Sequence, residues 1–232
     1  MSTTPLSPPR RWPAALFIAE GLLIAVPLVV LGQAVNWPAG LGDPASVTLP
    51  LVAAHETGLR AGYLAYLAYS LLFLPVIAVA VGTFAGPAER RHPAARIAVL
   101  LAGLSALARA VGILRWLTAM PVLAASWAGA DPAMRAVIAV QFGVLNDFGG
   151  GIGELLGVAA FGSAAVACAT IAIRAAVPAW LTWLGAATAV LAAVPLVELA
   201  GVDAGALTSV GVTAVQIWLL ALAAVVWRGA RR

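Results

Sequence analysis

Residues 152–173 read IGELLGVAAFGSAAVACATIAI, an apolar run in which Glu154 is the only charged side chain. A helix needs about 20 predominantly apolar residues to cross the hydrocarbon core of a bilayer, and this run has that length. The whole chain has the same character, with 63% hydrophobic residues, 9% charged residues and a mean hydropathy of +1.02. These values predict an integral membrane protein of the all-α class, a polytopic bundle of membrane helices.

Similar apolar runs recur along the chain and are separated by polar or proline-containing stretches. The 232 residues accommodate about six spans with short loops and contain no polar stretch long enough for a second domain. We therefore expect one membrane domain over 1–232. Glu20, inside the first run, favours a retained helix over a cleaved signal peptide. The predicted spans are 12–31, 58–85, 95–117, 152–173, 179–199 and 206–227.

The stretch 131–176 is too long for one simple span, and a glycine cluster at 149–153 interrupts it. Glycine commonly marks a break in a helix. We interpret the stretch as a short amphipathic or re-entrant helix over 132–147 followed by the fourth span. A single long, bent helix is the alternative interpretation.

The positive charge of the chain comes from arginine alone, because the sequence contains no lysine. Six spans place both termini on one side of the membrane, and most of the arginines then fall on that side. The positive-inside rule makes this side cytoplasmic. We predict a multi-pass protein of the cell inner (plasma) membrane with cytoplasmic termini. The arginines on that side are Arg10, Arg11, Arg90, Arg91, Arg96, Arg174, Arg228, Arg231 and Arg232.

Four carboxylates lie at or inside the ends of long apolar runs: Glu56, Asp147, Glu154 and Glu198. An ionisable group at membrane depth costs about 3 kcal/mol on insertion scales, so such groups mark a functional site by default. Under the predicted topology all four project to the outer half of the membrane. We expect them to converge there and to include the catalytic acid and base.

Five further side chains are predicted to line the same site. Arg60 follows Glu56 at i,i+4, and Tyr63 and Tyr66 continue that helix face. Arg115 requires a carboxylate partner, and Trp116 beside it offers a π face that would stabilise a cation. A structural ion pair that only fixes helix register is the alternative for Arg115, and an interfacial aromatic belt is the alternative for Trp116.

The glycine cluster before Glu154 permits two interpretations. If a helix begins there, its free backbone N–H groups would bind an anion or a polar head group. Gly149, Gly153 and Gly157 also form overlapping G-x-x-x-G spacings, which are typical of close helix packing in membranes. Packing is the interpretation that we favour.

Several classes of chemistry are excluded or disfavoured. Without lysine there is no Schiff-base nucleophile. His55 and His92 fall on opposite sides of the predicted membrane, so we expect neither a metal site nor a haem, and no other cofactor is indicated. The single cysteine, Cys168, lies within a span as a small packing residue. The arginines flank the spans, so nucleic acid is not an expected partner.

Four short motifs resemble a bacterial family of integral membrane proteins known as domain of unknown function 4386. They are Arg115-Trp116, Glu154-Leu-Leu-Gly157, the segment PAWLTWLG at 178–185, and Val226-Trp227-Arg228. The resemblance extends from about residue 15 to 228. It implies the architecture of a membrane helix bundle without implying a reaction.

We derive two functional hypotheses from the carboxylates. The first is an enzyme that acts on a lipid-soluble polyprenyl or terpenoid substrate, in which one buried carboxylic acid donates a proton and a second carboxylate accepts one. In size and general design the chain is similar to small membrane-bound terpene cyclases. The second hypothesis is a non-enzymatic protein, either a proton-coupled carrier or a sensor or structural subunit. In both cases the lipid bilayer is a partner, and the oligomeric state stays open.

Overall fold

The chain forms an all-helical bundle in the computed structural model, which describes residues 11–202 and 204–229, apart from the side chains of 91 and 205–209. Within these residues there are no strands, and six helical segments are long and apolar enough to cross a membrane. This confirms the predicted polytopic helix bundle. The six segments are Trp12–Val35, Glu56–Phe84, Pro93–Ala128, Pro132–Ile173, Ala179–Ala200 and Val210–Gly229.

Several of these segments combine more than one helix. The first contains α1 (Trp12–Leu23) and α2 (Ala25–Val35), and the third contains α6 (Pro93–Leu117) and α7 (Ala119–Ala128). The other α-helices are α3 (Ala45–Ala54), α4 (Glu56–Phe84), α5 (Pro87–Arg91), α8 (Pro132–Gly150), α9 (Ser163–Ile173), α10 (Ala179–Ala193) and α11 (Gly205–Gly229).

The stretch Pro132–Ile173 is one continuous helix, so the predicted break before the fourth span is wrong and the alternative of a single long helix is correct. A π-helical segment, Gly151–Gly162, connects α8 to α9, and the backbone of Gly150 and Gly162 is right-handed helical. The N–H of Gly151 bonds to the carbonyls of Asp147 and Phe148. The amides ahead of Glu154 are therefore used within the helix and do not form a free N-terminus for an anion.

The glycines serve close packing instead. A Cβ atom on Gly112 of α6 would lie 2.8 Å from the Cα of Gly153 and 2.8 Å from the carbonyl oxygen of Gly149. No side chain fits between the two backbones at this crossing. Because van der Waals packing is a main source of helix association in lipid, small residues at such a crossing stabilise it.

Two apolar clusters fill the bundle at different depths. The first lies towards the end where α1 begins and α11 ends, and it includes Phe73, Ile77 and Trp218. The second lies towards the opposite end and includes Tyr63 and Trp116. Along α4 and α6 the polar positions fall between these two clusters. The sequence order of each helix therefore places a polar layer in the middle of the bundle.

Two short helices outside the predicted spans contribute to the second cluster. The helix α3 has only 10 residues, which is too short to cross a bilayer, and it packs against α7. Leu49 of α3, Met120 of α7 and Phe142 of α8 are buried there. Each of these helices contains a proline, Pro50 in α3 and Pro121 near the start of α7, a residue that usually disfavours a helix interior.

The two ends of the described chain lie at the same end of the bundle. The guanidinium of Arg11, just before α1, lies 5.1 Å from the centre of the Trp227 ring near the end of α11. This agrees with an even number of spans. Arg10, Arg231 and Arg232 lie outside the described residues, and the assignment of this end to the cytoplasm remains a prediction.

We predict that Gly112→Ala destabilises the bundle by about 1–3 kcal/mol, because the new methyl group must displace the backbone of the π-helical segment. Gly143→Ala in α8 is the matched control, since a Cβ there meets nothing within 4 Å. Equilibrium unfolding of both variants in mixed micelles measures the difference. Equal stability of the two variants would contradict the packing described for the glycine crossing.

Candidate functional site

The middle of the bundle contains a cavity of about 130 Å³ between α2, α4, α6, the π-helical segment, α10 and α11. We call it the central cavity. Its wall is largely apolar, with Phe73, Val158 and Val215 among the lining residues. The ionisable side chains that reach it are those of Tyr66, Tyr69, Arg109 and Glu154.

Arg109 supplies the buried positive charge of this cavity. It lies in the middle of α6 and is 6% exposed. Its guanidinium lies 4.7 Å from the centre of the Tyr69 ring and 5.6 Å from that of Phe73, a geometry that stabilises a cation through the ring faces. Gly157 leaves space for the side chain, because a Cβ there would lie 2.8 Å from Cγ of Arg109. In the described part of the chain Arg109 forms no ion pair.

Glu20 is a second buried ionisable residue, on α1. The residue is fully buried, and neither carboxylate oxygen has a hydrogen-bond partner. Arg109 is the charged group that acts on it electrostatically, and Glu20 in turn acts on Tyr69. Glu20 does not line the central cavity.

Interhelical hydrogen bonds fix the walls of the cavity. Gln216 of α11 donates its Nε2–H to the hydroxyl of Tyr69 on α4 at 2.7 Å. Ser105 of α6 donates its hydroxyl to the backbone carbonyl of Gly157 at 2.6 Å. Polar side chains commonly connect membrane helices in this way. These two hydrogen bonds therefore connect α11 to α4 and α6 to the π-helical segment beside the cavity.

Arg115 pairs with Glu154, which confirms the predicted ion pair. Nη2 of Arg115 lies 3.6 Å from Oε1 of Glu154, and Nη1 donates to the carbonyl of Gly112 at 3.0 Å. Gly149 leaves room for the arginine side chain, because a Cβ on Gly149 would overlap Cδ of Arg115. The pair lines a small lobe of about 20 Å³ that shares Tyr66, Arg109 and Glu154 with the central cavity.

Aromatic rings connect this lobe to the central cavity. Tyr63 and Trp116 stack with their ring centres 5.2 Å apart, and Tyr66 stacks on Tyr69 at 6.0 Å. Trp37, from the loop after α2, has its ring centre 5.1 Å from that of Tyr66, and it lines both the central cavity and the small lobe. Of the predicted binding residues, Tyr63, Tyr66, Arg115 and Trp116 therefore lie together.

Other predicted site residues lie elsewhere. Glu56 and Arg60 pair with each other at 2.9 Å on the exposed surface, each with 55% of its side chain accessible. Asp147 is exposed and lines neither the central cavity nor the small lobe. Glu198 is exposed as well, although its charge acts on Glu154. Of the four predicted acids, Glu154 alone lines the central cavity.

The sequence analysis did not select Glu20 or Arg109 as site residues. Both interrupt an apolar run near its middle, and an ionisable group at that depth was the available signal. Glu56 and Asp147 were predicted as site residues because they lie at or inside the ends of apolar runs. Those positions lie where α4 begins and where α8 is exposed.

The comparison with protein families agrees with the resemblance described for the sequence. Residues 14–227 match the family described as Domain of unknown function (DUF4386). The chain belongs to this family. The matched range includes Arg109, Arg115 and Glu154, and the family description assigns no reaction to them. No curated protein and no solved structure matches the chain.

We expect the Arg115–Glu154 pair to contribute more to stability than the Glu56–Arg60 pair. Arg115 has only 9% of its side chain exposed, so its charge is weakly screened by water. A double-mutant cycle with Arg115→Gln and Glu154→Gln should give a coupling free energy of about 1–2 kcal/mol. The matched cycle at Glu56 and Arg60 should give about 0.3–0.5 kcal/mol. Equal coupling in the two cycles would mean that burial adds nothing to the inner pair.

Proposed function

We propose that this protein binds a lipid-soluble small molecule in the central cavity. The observation that carries the proposal is a largely apolar cavity of about 130 Å³ with a buried arginine in its wall. Sites for small molecules are commonly concave and apolar with a few polar groups that orient the ligand. A structural subunit would be expected to close its site with its own ion pairs and leave no such space.

The lining residues support lateral access from the bilayer. Leu28 of α2 lines the cavity and is nevertheless 44% exposed. Thr213 of α11 likewise lines the cavity and is exposed. The helix α1 packs along α11, whereas α2 packs along α4. The mouth of the cavity therefore lies between α2 and α11, on a surface that faces lipid.

The volume limits what the cavity holds. Apolar cavities of about 150 Å³ in other proteins bind a molecule of the size of benzene. The central cavity consequently fits one ring or a short branched unit at the end of a larger lipid-soluble molecule. The remainder of that molecule would extend through the mouth between α2 and α11.

An enzyme that acts on the bound molecule is the second candidate, because Glu154 lines both the central cavity and the small lobe. Glu154 is then the proton donor or acceptor, and Tyr66 and Trp116 are walls of the site. A cyclisation through a carbocation is the less favoured reaction, since the positive charge of Arg109 would oppose it. The polyprenyl or terpenoid substrate remains part of this second proposal.

The proposed location is the cell inner membrane, with the ends of the chain in the cytoplasm. Six apolar helical segments support a multi-pass membrane protein. Arg11, Arg90, Arg96, Arg174 and Arg228 flank segments at the end where the chain begins and finishes, as the positive-inside rule requires of a cytoplasmic side.

We predict that Val158→Phe lowers the occupancy of the cavity by most of its wild-type value, because the larger side chain fills the space without changing any charge. Val190→Phe is the control, since Val190 is 68% exposed on α10 and lines no described cavity. Mass spectrometry of molecules that co-purify with wild type and both variants measures occupancy. An identical set of molecules from Val158→Phe and wild type would refute binding in this cavity.

For the enzyme candidate, a terpenoid-producing host expressing wild type should accumulate a new product that Glu154→Gln does not form. Asp147→Asn is the control, because Asp147 is exposed and does not line the cavity. Mass spectrometry of lipid extracts measures the product. If no prenyl lipid changes with the wild type, the cyclase hypothesis fails while the binding proposal stands.

A further inference from the structure

We propose that the molecule in the central cavity ends in a neutral hydroxyl group that lies in the small lobe, donates a hydrogen bond to Glu154 and accepts one from Tyr66. The inference rests on the proposed function of the cavity and specifies its ligand as a lipid-soluble alcohol or phenol. It also assigns the small lobe, which the binding proposal does not use, to the polar end of that molecule.

The small lobe has the size of a single oxygen-containing group. Its volume of about 20 Å³ is enough for one water-sized group and too small for a ring. The lobe and the central cavity meet at a junction formed by the residues that line both spaces. These are Trp37, Leu41, Tyr66, Arg109 and Glu154. A molecule whose ring lies in the central cavity can therefore place one oxygen atom in the lobe.

The polar side chains are concentrated at this junction. Beyond it, the central cavity is lined mostly by apolar side chains, among them Leu28, Val158 and Val215. Leu28 lies at the mouth between α2 and α11, on the surface that faces lipid. A bound molecule is therefore oriented with its polar end towards the lobe and its hydrocarbon part towards the mouth.

Tyr66 and Glu154 can each form a further hydrogen bond at the junction. Within the part of the chain that the structure describes, the Tyr66 hydroxyl has no hydrogen-bond partner. Glu154 meets Arg115 through Oε1 at 3.6 Å, and 39% of its side chain remains accessible. A phenol hydroxyl donates one hydrogen bond, and a carboxylate accepts several. The lobe therefore offers both a donor and an acceptor to a bound oxygen atom.

The charges around the lobe favour a neutral hydroxyl over a charged group. A ligand carboxylate would place a second negative charge beside Glu154, and a ligand ammonium would lie beside Arg109 and Arg115. A carbonyl oxygen accepts a hydrogen bond from Tyr66 but has no proton to donate to Glu154. A hydroxyl group does both, and its hydrogen bond to a carboxylate is of the stronger, charge-assisted type.

The experiment compares ligands with the same hexyl tail on a benzene ring: 4-hexylphenol, 1-fluoro-4-hexylbenzene and 4-hexylbenzoate. Fluorine is similar in size to a hydroxyl group but donates no hydrogen bond, and the benzoate carries a negative charge. The intact 232-residue chain in nanodiscs is titrated by isothermal calorimetry. Empty nanodiscs are the blank, and ligand concentrations are expressed as mole fractions in the lipid. The wild type should bind the phenol about tenfold more tightly than either of the other ligands.

Variants locate the hydroxyl group of the ligand. Tyr66→Phe removes the donor but keeps the ring, so the preference for the phenol over the fluoro compound should fall to about threefold. Glu154→Gln replaces a charged acceptor with a neutral one and should lower the same preference to about threefold. The fluoro compound, measured with each variant, corrects for any change in the shape of the site. Gel filtration and thermal melting report whether each variant is folded. The comparison of ligands on the wild type needs no variant, so the inference is testable even if a variant does not fold.

The outcomes separate this inference from the binding proposal. If the phenol and the fluoro compound bind equally, and Val158→Phe abolishes both, the cavity binds ligands but the lobe holds only water and the inference is overturned. Tightest binding of the benzoate would overturn it as well, because the lobe would then select an anion. If folded Tyr66→Phe and Glu154→Gln keep the full preference for the phenol, the hydroxyl group does not lie in the lobe. If none of the ligands binds, the proposed function itself fails.

Discussion

The burial of Arg109 in the middle of the membrane domain is the constraint on which the rest of the structure depends. A guanidinium at this depth is costly unless protein groups replace its water shell. Tyr69 and Phe73 present their ring faces to it, and Gly157 gives its side chain space. These requirements fix which faces of α4, α6 and the π-helical segment meet.

The two apolar clusters give this polar layer its position. One cluster holds the helices together towards the end where the chain begins, and the other, built with α3 and α7, closes the opposite end. The central cavity is the space that remains between them. Because helices in lipid gain little from apolar burial between each other, tight glycine crossings and a few interhelical hydrogen bonds determine how they associate.

Much of the fold follows from the sequence, because a run of apolar residues long enough to cross a bilayer has few alternatives to a helix. The Arg115–Glu154 pair was also predictable, since a buried arginine needs a partner and few acids lie at its depth. The continuous helix through 149–153 was not predictable, because glycine permits both a break in a helix and a close helix crossing. The contact of this segment with Gly112 decides between the two. The exposure of Asp147 depends on helix rotation, which residue spacing alone does not fix once a π-helical segment intervenes.

The π-helical segment has a consequence for the phase of the longest helix. In a π-helix each N–H bonds to the carbonyl five residues earlier, and in an α-helix it bonds four residues earlier. Glu154 lies inside this segment, whereas α9 beyond it has ordinary α geometry. A shift of hydrogen-bond register confined to Gly151–Gly162 would rotate Glu154 relative to α9 while leaving the helix intact. The orientation of this carboxylate is therefore encoded in the backbone as well as in its side chain.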